Sequence, residues 1–109
     1  MHIEDFQNIS KRTAPKSEQR ENALNFTIGA FGELSEVSEH IKKWVFHGHE
    51  LDVEKISNEL GDVAWYLVNL ASTFNIDMDK VLEGNINKLL KRYPTGFSVE
   101  DSIKRVDVE

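Results

Sequence analysis

Cysteine is missing from the 109-residue sequence, which excludes disulfides, thiolate metal sites and thiol nucleophiles together. A metal bound by this chain must therefore prefer oxygen or imidazole. Proline occurs twice, at Pro15 and Pro94, where it marks a break after Thr13-Ala14 and a stop after Tyr93. No window approaches the roughly 18 uninterrupted apolar residues of a membrane span. Met1–Ser10 also lacks the basic-then-apolar layout of a secretion signal, so the expected location is the cytoplasm with no membrane partner. Basic residues are outnumbered, 13 Lys and Arg against 19 Asp and Glu, giving a net charge of −6 and a pI of about 5.2. That balance argues against a nucleic-acid partner gathered by phosphate neutralisation. An acidic chain can still bind a small anion, given a metal and a few placed cations.

What is present reads as one helical domain over 1–109. Hydrophobic residues make up 39% and charged residues 29%, ordinary for a globular protein and too apolar for a disordered one. Ile3, Phe6 and Ile9 suggest a short helix or arm within 1–16. Ser17 is a plausible cap for a long helix whose apolar residues Leu24, Ile28, Phe31, Leu34, Val37, Ile41 and Val45 step by three or four. Gly29 and Gly32 interrupt it, each costing up to about 1 kcal/mol relative to Ala, so close packing or ligand approach is expected there. Asp52 caps a second long helix with Val53, Ile56, Leu60, Val63, Leu67, Leu70 and Phe74. Asp77 caps a shorter one through Val81, Leu82, Ile86, Leu89 and Leu90 to Tyr93, and Ser98-x-x-Asp101 opens a last turn before a tail expected to fray at 107–109. No stretch alternates as a strand. The expected fold is all-α: a helical bundle with two long antiparallel helices. Val63-Ala64-Trp65-Tyr66-Leu67-Val68-Asn69-Leu70-Ala71 is apolar nearly all round, more than one small domain can surround. A homodimer or homotetramer is inferred to cover the second face.

The two long helices carry the candidate chemistry. Glu33 and Glu36 lie three apart on the first, and Glu59 and Asp62 three apart on the second, so each pair shares a face. If the helices pack antiparallel, the pairs can meet. Four converging carboxylates need a cation among them, and oxygen-only ligands suit Mg²⁺, with Mn²⁺ as a possible substitute. Magnesium so held recruits substrate phosphates. Spacing alone leaves the other reading open, that these are solvated surface acids. A di-iron carboxylate site requires Glu-x-x-His on two helices, whereas Val37, Trp44 and Phe46 stand three before His40, His47 and His49. On the next helix Lys88 and Arg92 share a face with Asn85; they could clamp phosphate oxygens while Asn85 bonds a sugar or base, or they could simply complement a helix C-terminus. Trp65, like Trp44 and Tyr66, could stack a base or fill a core.

Together these segments are more specific than their parts. Gly32-Glu33-Leu34-Ser35-Glu36, Glu59-Leu60-Gly61-Asp62-Val63-Ala64-Trp65-Tyr66-Leu67, and Asn85-Ile86-Asn87-Lys88-Leu89 leading into Lys91-Arg92-Tyr93-Pro94-Thr95-Gly96-Phe97-Ser98 resemble the MazG-type nucleoside triphosphate pyrophosphohydrolases, of the all-α NTP pyrophosphatase superfamily. The resemblance spans roughly Leu24 to Arg105. It implies Mg-dependent conversion of a (d)NTP and water to (d)NMP and pyrophosphate, a nucleotide-pool housecleaning role, metal binding by Glu33, Glu36, Glu59 and Asp62, and phosphate contacts from Lys88 and Arg92. Many members carry a further glutamate just before the first acidic pair, where this chain has Gly32. Glu39 is a neighbour that could stand in for it, and Glu36 is the first choice for general base. The departure keeps a second function open, a non-catalytic nucleotide-binding or regulatory module.

Overall fold

The computed structural model describes residues 1–107, and every element among them is helical. Helix α1 (Ile3–Ser10) runs into a 3₁₀ turn over Lys11–Thr13, followed by α2 (Gln19–Phe46), α3 (Val53–Thr73), α4 (Met78–Arg92) and α5 (Val99–Lys104). Three of the expected caps are in place. Asp52 accepts from the Lys55 amide at 3.0 Å, Asp77 from Asp79 at 3.1 Å and Ser98 from Asp101 at 3.0 Å, each satisfying an amide the helix leaves unpaired. Ser17 does not cap. Helix α2 begins two residues later, and the Ser17 carbonyl instead accepts from the Asn22 side chain at 3.3 Å.

Helices α2 and α3 form an antiparallel hairpin, the largest helix–helix contact in the molecule. Gln19 donates to the Thr73 carbonyl, Phe26 meets Trp65, Gly29 underlies the Tyr66 ring and Glu36 faces Glu59. Trp65 packs edge-on to both Phe26 and Tyr66, with centroids at 5.8 and 5.0 Å. Its indole N–H donates to Thr13 Oγ1 at 2.8 Å, which ties the 3₁₀ turn to the hairpin. Helix α1 is held from the far end. The Gln7 amide donates to Ser72 Oγ at 3.0 Å and the Ile76 carbonyl at 2.9 Å, and its oxygen accepts from the Met78 amide at 2.9 Å. One buried side chain thus fixes the α3–α4 turn, where Asn75 adopts φ 56°, a left-handed conformation that asparagine tolerates.

The stripe predicted to form the α2 core faces outward for most of its length. Val37 is buried, but Leu24, Ile28, Phe31, Leu34 and Val45 are more than half exposed. The intrachain contact uses Phe26 and Gly29 instead, because close approach of the Tyr66 ring favours a small residue beside one large anchor. The buried apolar residues among those described are Phe26, Val37, Val68 and Ala71. Helix α4 packs chiefly on α1 and α5, and its apolar residues Val81, Leu82, Ile86, Leu89 and Leu90 are exposed.

The two α2 glycines behave differently. A Cβ at Gly29 would collide with the Tyr66 ring, whereas one at Gly32 would meet nothing within 4 Å. Gly29→Ala should therefore cost about 1–2 kcal/mol in urea unfolding, overpacking outweighing the gain in helix propensity. Gly32→Ala should stabilise by up to about 1 kcal/mol. Equal shifts for the two would contradict this packing.

Candidate metal centre

Antiparallel pairing of α2 and α3 converts two sequence pairs into one cluster. Glu33, Glu36 and Glu59 each offer a carboxylate oxygen within 4.8 Å of the others. Asp62 lies outside that triad but close enough for its charge to act on Glu33. Exposure is graded across the group: Glu59 is buried at 7%, Glu33 is half-buried, and Glu36 and Asp62 are open to solvent. Burial pushes the Glu59 carboxyl above its usual range, with the neighbouring Glu36 carboxylate adding to it, against weaker opposition from His40 and Lys55. Glu33 is raised in the same way, first by burial and then by Glu36, Asp62 and Glu59.

Glu59 is the deciding residue. Its Oε2 is buried with no hydrogen-bond partner, and its Oε1 lies 3.7 Å from His40 Nε2, beyond hydrogen-bonding distance. A buried carboxylate oxygen without a partner is costly, and here two further carboxylates crowd the same space. A divalent cation would satisfy all three. Oxygen-only donors, one buried and others reachable by water, fit Mg²⁺ or Mn²⁺, which keep waters and share few protein ligands.

Three residues that the sequence reading did not assign also border this site. His40, Lys43 and Lys55 join Glu36, Glu39 and Glu59 around a cavity of about 310 Å³. Their signal was spacing: His40 is four after Glu36 and Lys55 four before Glu59, on the faces that carry the acids. The other predicted residues lie elsewhere. Asn85 and Lys88 are exposed on α4, and neither borders the acid cavity. Arg92 makes a bidentate pair with Asp107, both contacts 2.6 Å. That pair lowers the Asp107 carboxyl to about 2, chiefly through the Arg92 hydrogen bonds. Asp107, placed by the sequence in a frayed tail, is thus anchored, its side chain 1% exposed; residues 108–109 lie outside the described residues. Trp65 is taken up by packing and by Thr13 rather than by the acid cavity.

Residues 19–97 match the MazG nucleotide pyrophosphohydrolase domain, a span that contains both acidic pairs and all of α4. The chain belongs to the MazG family. It is also similar to the Gene 37 protein of Mycobacterium phage L5, at 28% identity over 105 residues, covering 88% of this chain and 92% of the phage protein. No solved structure matches the chain significantly. The MazG family is generally divalent-metal dependent, and the acid cluster between α2 and α3 lies within the matched span.

Replacing Glu59 by glutamine removes a buried charge and supplies donors toward Glu36. In thermal melts at pH 7 the metal-free Glu59→Gln variant should melt above wild type. Mg²⁺ at about 100 times its Kd should stabilise wild type by about 2.7 kcal/mol and the variant scarcely at all. Equal Mg²⁺ shifts in both proteins would remove Glu59 from the centre.

Proposed function

We propose that this MazG-family protein is a nucleoside triphosphate pyrophosphohydrolase. It cleaves a canonical or modified (d)NTP to the monophosphate and pyrophosphate, as a cytoplasmic housecleaning activity on the nucleotide pool. The observation that carries the reading is the partnerless Glu59 oxygen among Glu33, Glu36 and Asp62, inside a span matching the MazG domain. Mg²⁺, or Mn²⁺ in its place, supplies Lewis acidity and positive charge for phosphate oxygens and a water when bound there.

The chain's own residues have distinct tasks. Glu59, buried and fixed by α3, sets the position of the group. Glu33 shares its half-buried environment, and Asp62 completes the pair from the solvent side. Glu36 is exposed and adjoins Glu59, so it can accept a proton from a water directed at the α-phosphorus without leaving the cluster. Asn85, Lys88 and Arg92 are the residues offered to sugar or base and to phosphate oxygens. Because α4 packs chiefly on α1 and α5, they act in this reading from a second copy of the chain. Arg92 would exchange Asp107 for phosphate.

The second copy has a surface to occupy. Thr27, Ala30, Phe31, Leu34, Val63 and Leu67 line an apolar groove of about 260 Å³ between α2 and α3, and the exposed α4 stripe is of matching character. A homodimer or homotetramer would bury both.

Purified protein incubated with a panel of (d)NTPs and Mg²⁺ should release NMP and pyrophosphate. Glu36→Gln should slow turnover by about 10²-fold or more. Nucleoside diphosphate with orthophosphate would contradict the reaction, and nucleotide binding without turnover would favour the regulatory module. Mixing inactive Glu59→Gln and Arg92→Ala proteins should restore part of the activity, since a mixed assembly contains one intact site. A mixture as inactive as its components, or a 12.5 kDa particle by light scattering, would refute the shared site.

A further inference from the structure

The cations of the α2–α3 hairpin are distributed unevenly about the acid cluster. Between Arg20 and Lys42 helix α2 carries no lysine or arginine, and between Lys55 and the end of α3 there is none either. The positive charges of the hairpin near the acids therefore sit on one side, toward the 47–52 loop that joins the two helices. Antiparallel register arranges them as a ladder. Glu33 and Asp62 form one rung, Glu36 and Glu59 the next, and His40, Lys43 and Lys55 lie beyond them around the same cavity as Glu36, Glu39 and Glu59. One helical turn, about 6 Å, separates Lys55 from Glu59 along α3.

These lysines are not consumed by structure. Lys55 makes no ion pair among the described residues, and the Lys43 contact with Glu39 is 4.0 Å long between two side chains about half exposed, a pair of little energetic consequence. Both nevertheless border the cavity that contains the buried, partnerless Glu59 carboxylate. Lysines beside a cation-binding cluster repel the cation they adjoin. That unfavourable placement becomes favourable when an anion bridges the metal and the lysines together, as a polyphosphate does.

We infer that Lys43 and Lys55 form the subsite for the pyrophosphate end of the substrate, so that the phosphate chain runs from the acid cluster toward the 47–52 loop. This rests on the proposed metal-dependent phosphohydrolase reading and extends it with an orientation. The negative charge that builds on the departing pyrophosphate falls within reach of two ammonium groups on the same chain. His40, between lysines and acids, lines the passage.

Calorimetric titrations with Mg²⁺ alone, and with inorganic pyrophosphate in excess Mg²⁺, test the subsite on wild type, the Lys43→Gln/Lys55→Gln protein and the Lys43→Arg/Lys55→Arg protein. Loss of both charges should tighten Mg²⁺ severalfold while weakening pyrophosphate about tenfold or more, and the arginine protein should retain pyrophosphate binding within about threefold. KM for the triphosphate should rise in parallel in the glutamine protein. Unchanged pyrophosphate affinity in the glutamine protein, or loss of Mg²⁺ and pyrophosphate together, overturns the subsite. Wild-type turnover with lysine-independent pyrophosphate binding defeats this inference alone. No turnover by wild type, with pyrophosphate binding that still requires the lysines, defeats the hydrolase reading and leaves the subsite standing.

Discussion

Carboxylates on two packed helices face one another across the α2–α3 hairpin. Glu59 is buried, has one oxygen without a partner, and meets Glu36 across the hairpin while Glu33 and Asp62 add to the field. Such a confrontation opposes the very contact that creates it. The hairpin closes because Phe26, Trp65 and Tyr66 interlock over Gly29 on one side of the acids and Val37 is buried on the other. Packing energy thus holds the charges in a geometry they would leave if free. In the proposed metal-bound state a divalent cation would reverse the sign of the interaction, so that local destabilisation prepares binding.

The supporting parts of the fold serve the same hairpin. Gln7 gathers Ser72, Ile76 and Met78 into one network, and Trp65 fastens the 3₁₀ turn at Thr13, so that α1 braces the end of α3 away from the acid cluster. Another face is apolar and open, with Leu24, Ile28 and Phe31 on α2, Leu67 on α3 and Phe74 at its end. Only Phe26, Val37, Val68 and Ala71 are buried apolar residues among those described, and the proposed association with a second copy would cover the open face.

Much of this was legible in the residues. Three-residue spacing marked the acids, alternating three- and four-residue steps marked α3, and Asp52, Asp77 and Ser98 marked helix starts, because these are local rules of helical geometry and capping. Burial was not legible. Nothing in Glu59-x-x-Asp62 says which acid turns inward; that depends on the rotation of α3 against α2, which Gly29 and Tyr66 set together. The same rotation explains why the large apolar residues of α2 face out while Phe26, outside the expected stripe, lies in the core. Lys43 and Lys55 were hidden for a related reason, since a cation gains meaning beside the acids only when the hairpin register is known. The clasp of Arg92 by Asp107 joins residues fifteen apart across α5 and has no periodic signature.

The central claim is that divalent metal binds between α2 and α3 on the inward-facing carboxylates. Anomalous scattering from crystals grown with Mn²⁺ tests it most directly. The predicted result is a metal peak within coordination distance, about 2.0–2.6 Å, of Glu59 and of at least one of Glu33, Glu36 and Asp62. Manganese bound only elsewhere, such as at His47 and His49, with Glu59 Oε2 still unpartnered, would contradict it.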